Sequence, residues 1–244
     1  MTRAIVVDQV VKQFTLRHTW SIKEHVVWNL TGRGGELKDT FLALDDVSLT
    51  VEQGESVGLL GRNGSGKSTL LKLISGVLRP DRGQVGVRGR VAGLIEVGAG
   101  FHPDLTGREN IYLNGSILGM TERDITARLD EIIAFSEIEG RFIDSEVKFY
   151  SSGMFLRLAF SVAAHSHPDV FLIDEILAVG DEPFQHKCLE RIAELRKEGQ
   201  TLVIVTHDLN LVSQVAERGI VLAGGKTVFD GPIEGAVGRL RGEG

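Results

Sequence analysis

The chain has 244 residues, a formal net charge of −6, 42% hydrophobic and 25% charged residues, the composition of an ordinary globular protein built as one large domain or two small ones sharing a core. With 27 Lys plus Arg against 33 Asp plus Glu, it lacks the basic surface of a chain-wide nucleic-acid footprint. A single cysteine, Cys188, excludes an intramolecular disulfide framework and suits a reducing compartment, no apolar run is long enough to span a membrane, and the opening stretch lacks the apolar core of a signal peptide.

Residues 4–14 are rich in valine and predict a strand. Both tryptophans, Trp20 and Trp28, lie in 15–40. There Ser21 and Glu24 form a capping box. Ile22, Val26 and Leu30 follow as one apolar stripe, interspersed with Arg17, Lys23, Arg33 and Lys38. Trp with Lys and Arg on a short amphipathic helix suits a membrane interface. A helix packed on its own domain fits the stripe equally well. Residues 42–60 read as two strands separated by a turn at Gln53-Gly54. Leu70, Leu71, Ile74 and Val77 recur at helical spacing over 67–77. Short strands are predicted at 84–87 and 90–95, and helical character from 106 to 165, with a helix start at Thr121 and Asp124. Residues 169–174 form a nearly continuous apolar run, as in a buried parallel strand. A helix at 184–198, strands at 201–205, 219–223 and 226–229, and a helical tail fraying over 239–244 complete the chain. Strand–helix alternation with one helical stretch argues an α/β fold with a helical subdomain.

Gly61-Arg62-Asn63-Gly64-Ser65-Gly66-Lys67-Ser68-Thr69 matches G-x-x-x-x-G-K-[ST] in full, after a strand and before a helix. Successive backbone N–H groups and the helix N-terminus cradle a triphosphate in such a loop. Lys67 is expected at the β- and γ-phosphates and the Ser68 hydroxyl on Mg²⁺. Leu172-Ile173-Asp174-Glu175 closes a buried strand. Asp174 there holds Mg²⁺ through water, and Glu175 orients or deprotonates the attacking water. Tyr150-Ser151-Ser152-Gly153-Met154 opens an amphipathic stretch, and its Ser-Ser-Gly turn is a second anion site.

The ordered set of phosphate loop, Ser-Ser-Gly helix start, Asp174-Glu175 and His207 after strand 201–206 resembles an ATP-binding cassette (ABC) ATPase over essentially the whole chain. The resemblance implies a P-loop NTPase (RecA-like) core, an N-terminal antiparallel β-subdomain and an inserted α-helical subdomain. In these terms residues 1–244 are one nucleotide-binding domain, with an insertion at 15–40 and the helical subdomain at 97–165. It also implies that Ser151, with Ser152 and Gly153, caps the γ-phosphate held by a second subunit, and that His207 is the switch histidine. The usual signature Leu-Ser-Gly-Gly-Gln is altered at Tyr150, Ser152 and Met154. Glu96 stands where the family carries a Gln that contacts Mg²⁺ and water, and Leu177-Ala178-Val179-Gly180-Asp181 replaces a small-residue turn. This combination is similar to the ATPase subunits of bacterial polysaccharide exporters, which move lipid-linked O-antigen, teichoic acid or galactan. Such a subunit works as a homodimer beneath two membrane-spanning permease subunits, on the cytoplasmic face of the inner membrane, with ATP and Mg²⁺ and without nucleic acid. The residues after His207 are used up by two strands and a tail, so no added sugar-binding domain is expected.

Adenine needs an aromatic surface, for which Phe14 matches the family position and Phe41 is the alternate. A drug exporter, a nutrient importer or a soluble cassette acting on nucleic acid would fit the core motifs. Glu96, Ser152, Met154 and the 15–40 segment count against the first two, and the acidic balance against the third. A small-molecule P-loop kinase would not need the Ser-Ser-Gly helix start. His165 and His167 lack a third ligand nearby in sequence, and Cys188 reads as a small apolar residue.

Overall fold

The computed structural model describes residues 2–16, 39–93, 100–174 and 181–242. Strands β1 (Arg3–Leu16) and β2 (Asp39–Glu52) pair antiparallel from Arg3 opposite Glu52 to Leu16 opposite Asp39. Their alternation places Ile5, Val7 and Val10 against Leu44, Val47, Leu49 and Val51 in one buried cluster. The ladder reaches beyond the segment predicted to interrupt it. Residues 15, 16, 39 and 40, expected to belong to an inserted segment, are strand. The rest of that segment, with the predicted helix and both tryptophans, lies outside the described residues. After β3 (Ser56–Leu60), strand β4 (Arg82–Val87) adds to the other edge of β1 and gives a three-stranded antiparallel sheet, β2-β1-β4.

The second sheet is the centre of the molecule. It also contains β5 (Val91–Gly93), β6 (Val170–Asp174), β7 (Thr201–Val205), β8 (Arg218–Ala223) and β9 (Lys226–Pro232), in the order β5-β6-β7-β3-β8-β9. All neighbours are parallel except β8 and β9. Both faces of the parallel strands are covered, which explains their unbroken apolar runs. Helix α1 (Lys67–Ile74) packs Leu70, Leu71, Leu73 and Ile74 with Val57, Leu59, Val203 and Val205. On the opposite face Phe171, Ile173, Leu202 and Ile204 meet Phe184, Cys188, Ile192 and Leu195 of a helix spanning Glu182–Lys197. Cys188 is thus a core residue, its thiol pushed up to about 12 by burial and unreactive at neutral pH. Helix α1 stops at Ile74, short of the predicted end, because Gly76 turns left-handed (φ 78°) and leaves Val77 exposed. The C-terminal helix, Ile233–Arg241, runs further than the expected fraying point at 239.

Between β5 and β6 the described residues form three α-helices, α2 (Gly107–Ile117), α3 (Glu122–Ser136) and α4 (Ser152–Ala164). Two capping boxes start the first two. Thr106 and Glu109 exchange bonds at α2, and Thr121 and Asp124 do so at α3. The hydroxyl and amide of Thr121 hold the Asp124 carboxyl below its ordinary range. These helices have their own core of Ile111, Met120, Ile125, Ile132, Leu158 and Val162. Helix α4 straddles two cores, since Leu158 and Val162 face the helical insert while Phe160, Ala163 and Ala164 join the cluster on the main sheet. In order of introduction, Glu182–Lys197 is α5, Leu209–Val215 is α6 and Ile233–Arg241 is α7.

Candidate functional site

Leu59 pairs with Val205 across β3 and β7, and Asp174 pairs with Val205 across β6 and β7. Three neighbouring parallel strands therefore end in one row. The loop 61–66, Asp174 and the Thr206-His207 turn all leave the sheet from its carboxyl edge, where open α/β sheets place their ligands. Asp208 caps α6 by accepting from the N–H groups of Asn210 (2.9 Å) and Leu211 (3.1 Å). This holds the turn that carries the exposed His207.

The phosphate loop itself is shaped by close packing. Gly66 takes φ 108° at the N-cap of α1, and a Cβ there would lie 2.6 Å from the Ala43 carbonyl oxygen. Only glycine fits that backbone. A glycine cap has no side chain to bond the first N–H groups of α1, and a helix N-terminus of this kind suits an anion. Ser65 N–H donates to the Arg62 carbonyl (3.1 Å), and Gly225 N–H donates to the Ser65 carbonyl (3.2 Å). The turn between β8 and β9 thereby braces the loop from behind. Lys67 is buried, its Nζ donating to the carbonyls of Gly61 (2.8 Å) and Arg62 (3.2 Å). The Ser65 Oγ is buried and makes no hydrogen bond, a polar atom facing the same loop with its capacity unused.

In front of the loop lies a cleft of about 340 Å³, lined by Phe41, Ala43, Asn63, Gly64, Ser65, Gly66, Lys67, Ser68 and Thr69. Seven consecutive residues of the predicted nucleotide-binding stretch line it, while Gly61 and Arg62 act through the carbonyls that hold Lys67. Phe41 is the aromatic residue of the lining. Phe14 sits opposite it in the β1–β2 ladder, with the Lys12 ammonium 5.6 Å from its ring centroid. Phe41, the alternate aromatic, lines the cleft, and Phe14 is not among its lining residues. Ala43 and Gly225 were not foreseen, and the Gly224-Gly225 pair between two predicted strands was the available signal for the second.

Ser151, Ser152 and Gly153 lie on a different element from this cleft. Ser151 is the N-cap of α4, accepting from Met154 N–H at 3.2 Å, so its hydroxyl is already oriented along the helix start. Tyr150 fixes the approach. Its hydroxyl donates to the Phe142 carbonyl (2.7 Å), and burial pushes its pKa up to about 12. Gly107 makes room for that ring, since a Cβ at Gly107 would come within 2.1 Å of the Tyr150 hydroxyl oxygen. Gly107→Ala is therefore expected to displace Tyr150 and destabilise the protein by about 1–3 kcal/mol. Urea unfolding checks this, and an unchanged midpoint would show that the ring moves aside freely. Glu96 and Glu175 lie outside the described residues.

The sequence profile described as "ABC transporter" matches residues 44–178. The chain is 48% identical over 227 residues to an O-antigen export system ATP-binding protein of Myxococcus xanthus, covering 91% of this chain and 52% of that protein. It therefore spans about half the length of that relative. A protein of the same description from Klebsiella pneumoniae is 50% identical over 178 residues, 73% of this chain and 72% of its own length. Among solved structures, a dimeric bacterial ABC transporter cassette superposes with a TM-score of 0.74 at 25% identity, covering 94% of this chain and 98% of that one. On these matches, and with a phosphate loop at the carboxyl edge of its parallel sheet, the chain belongs to the ABC transporter family as its ATP-binding cassette.

Proposed function

We propose that this chain hydrolyses ATP to drive export of a lipid-linked polysaccharide across the cell membrane. The observation that supports the reading most is the conjunction of the braced phosphate loop and its cleft with an O-antigen exporter subunit as a relative over most of both chains. No helix among the described residues is long and apolar enough to cross a membrane. The proposed assembly is a homodimer beneath two permease subunits, peripheral to the cytoplasmic face. Each nucleotide is shared between the loop of one subunit and Ser151, Ser152 and Gly153 of the other.

Within the site, Lys67 exchanges its two carbonyl partners for the β- and γ-phosphates and neutralises the charge that develops on transfer. Asn63, Gly64, Ser65 and Gly66 offer the backbone cradle. Ser68 lines the cleft, and Asp174 ends the strand beside it. A hydroxyl and a carboxylate are hard oxygen donors that suit Mg²⁺, and Glu96 is proposed to add to them. When bound, Mg²⁺ supplies electrostatic stabilisation of the phosphate oxygens. Glu175 orients and deprotonates water, and His207 contacts the γ-phosphate.

Phe41 is proposed as the adenine platform. Loss of one aromatic stack costs about 1–3 kcal/mol, so Phe41→Ala is expected to weaken ATP binding about 5- to 150-fold, with Phe14→Ala much milder. Equilibrium binding of a fluorescent ATP analogue distinguishes them, and a larger loss at Phe14 would reverse the assignment. The transport reading is tested by depleting the chain in its host. Lipid-linked polymer is expected to accumulate inside while surface polymer disappears, and unchanged surface polymer would overturn it.

A further inference from the structure

Where α4 leaves the insert and the chain turns into β6, two arginines converge on one histidine. The Arg128 Nη1 of α3 lies 2.6 Å from the His167 Nε2. The Arg90 Nη2 donates to the His167 carbonyl (3.0 Å) and its Nη1 to the Gly119 carbonyl (2.8 Å), at the end of the α2 turn. Both contacts cross between the helical insert and the main sheet. His167 itself is held at φ 44°, a left-handed conformation uncommon for a residue with a Cβ.

The proton positions on this ring are set by its partners. A guanidinium only donates, so the His167 Nε2 must present its lone pair and Nδ1 must carry the hydrogen. On the Nδ1 side stand the Glu198 carboxylate (3.5 Å) and the Gln200 amide nitrogen (3.3 Å). The Gln200 Oε1 is buried without a partner. Turning that amide over lets Oε1 accept from Nδ1–H and removes both a donor–donor clash and an orphaned acceptor.

We infer that His167 is a pH-sensitive joint between the helical insert and the main sheet. Neutral, it accepts from Arg128 and ties α3 down. Protonated, it has no lone pair for Arg128 and places a second cation against it, so α3 is released from the core.

The surrounding charges agree with this direction. Facing the ring are Arg128 and Glu131 from α3, Arg191 from α5, and Glu198 just beyond it. Arg90 faces its carbonyl, and Asp124 is engaged by Thr121. Burial lowers the His167 pKa first, Arg128 and Arg191 lower it further, and Glu198 and Glu131 oppose them. A histidine held neutral in the fold contributes stability that is present above the unfolded value near 6.5 and lost as pH falls toward the folded value. His165 is also lowered, mainly by burial. The test must therefore isolate one histidine.

The experiment is hydrogen exchange on the purified full chain at pH 7.5 and 5.5, corrected for intrinsic rates. Residues 122–136 of the unaltered protein are expected to lose up to about tenfold in protection at the lower pH, the ceiling for one histidine with an unfolded value near 6.5, while 182–197 hold theirs. In His167→Gln, which keeps an amide acceptor but cannot titrate, 122–136 should be equally protected at both pH values. In Arg128→Met they should exchange faster at both, with little pH dependence. The same acid loss in His167→Gln as in the unaltered chain, no loss in the unaltered chain, or a loss shared equally by 182–197 would each overturn the joint. Imidazole nitrogen NMR at pH 7.5 gives an independent reading. The Nδ1–H tautomer supports it and the Nε2–H tautomer refutes it.

Discussion

Lys67→Ala is expected to lower ATP turnover at least about 100-fold, the order lost when a preorganised charge is removed from the transferring phosphoryl group. The fold should survive. Among the described residues, Lys67 Nζ bonds to the carbonyls of Gly61 and Arg62. The loop keeps the Ser65-to-Arg62 and Gly225-to-Ser65 backbone bonds that shape it. Steady-state hydrolysis with circular dichroism as a control measures both halves. Near-normal turnover would remove the cleft from consideration as the nucleotide site, and lost structure would mean that Lys67 holds the loop together.

The second large effect is expected at Glu175→Gln. The amide is nearly isosteric with the carboxylate but does not take a proton from water, so hydrolysis should fall by about 10²- to 10⁴-fold while ATP binding persists. In the sequence Glu175 follows Asp174 directly, and Asp174 is the last residue of β6. With the composite sites proposed above, trapped ATP should hold two subunits together. Size-exclusion chromatography with Mg-ATP should then show a dimer in the variant and less of one in the unaltered chain. Hydrolysis at the unaltered rate would exclude Glu175 as the base.

The amino-acid order determines by itself whatever closes over a few residues. The phosphate loop is legible because its glycines, lysine and serine act through backbone bonds within nine positions, between an apolar strand and a periodic helix. The capping box of Thr121 and Asp124 spans three residues and needs no distant partner, so its prediction and its geometry agree. The buried strands at Val170–Asp174 and Thr201–Val205 announce themselves because both of their faces are covered, leaving no polar alternation. Tertiary structure decided what depends on register and on long-range approach. Local sequence could not show which of Phe14 and Phe41 lines the cleft, since they face each other across one ladder and only the position of the loop relative to β2 brings Phe41 to it. Nor could it show that β1 and β2 continue through 15–16 and 39–40, because pairing energy comes from the partner strand. The brace from Gly225 to Ser65 joins residues far apart in the chain. The meeting of Arg128, Arg90 and His167 likewise exists only once the insert has folded back on the sheet, where burial and neighbouring guanidinium groups lower the pKa of an otherwise ordinary histidine.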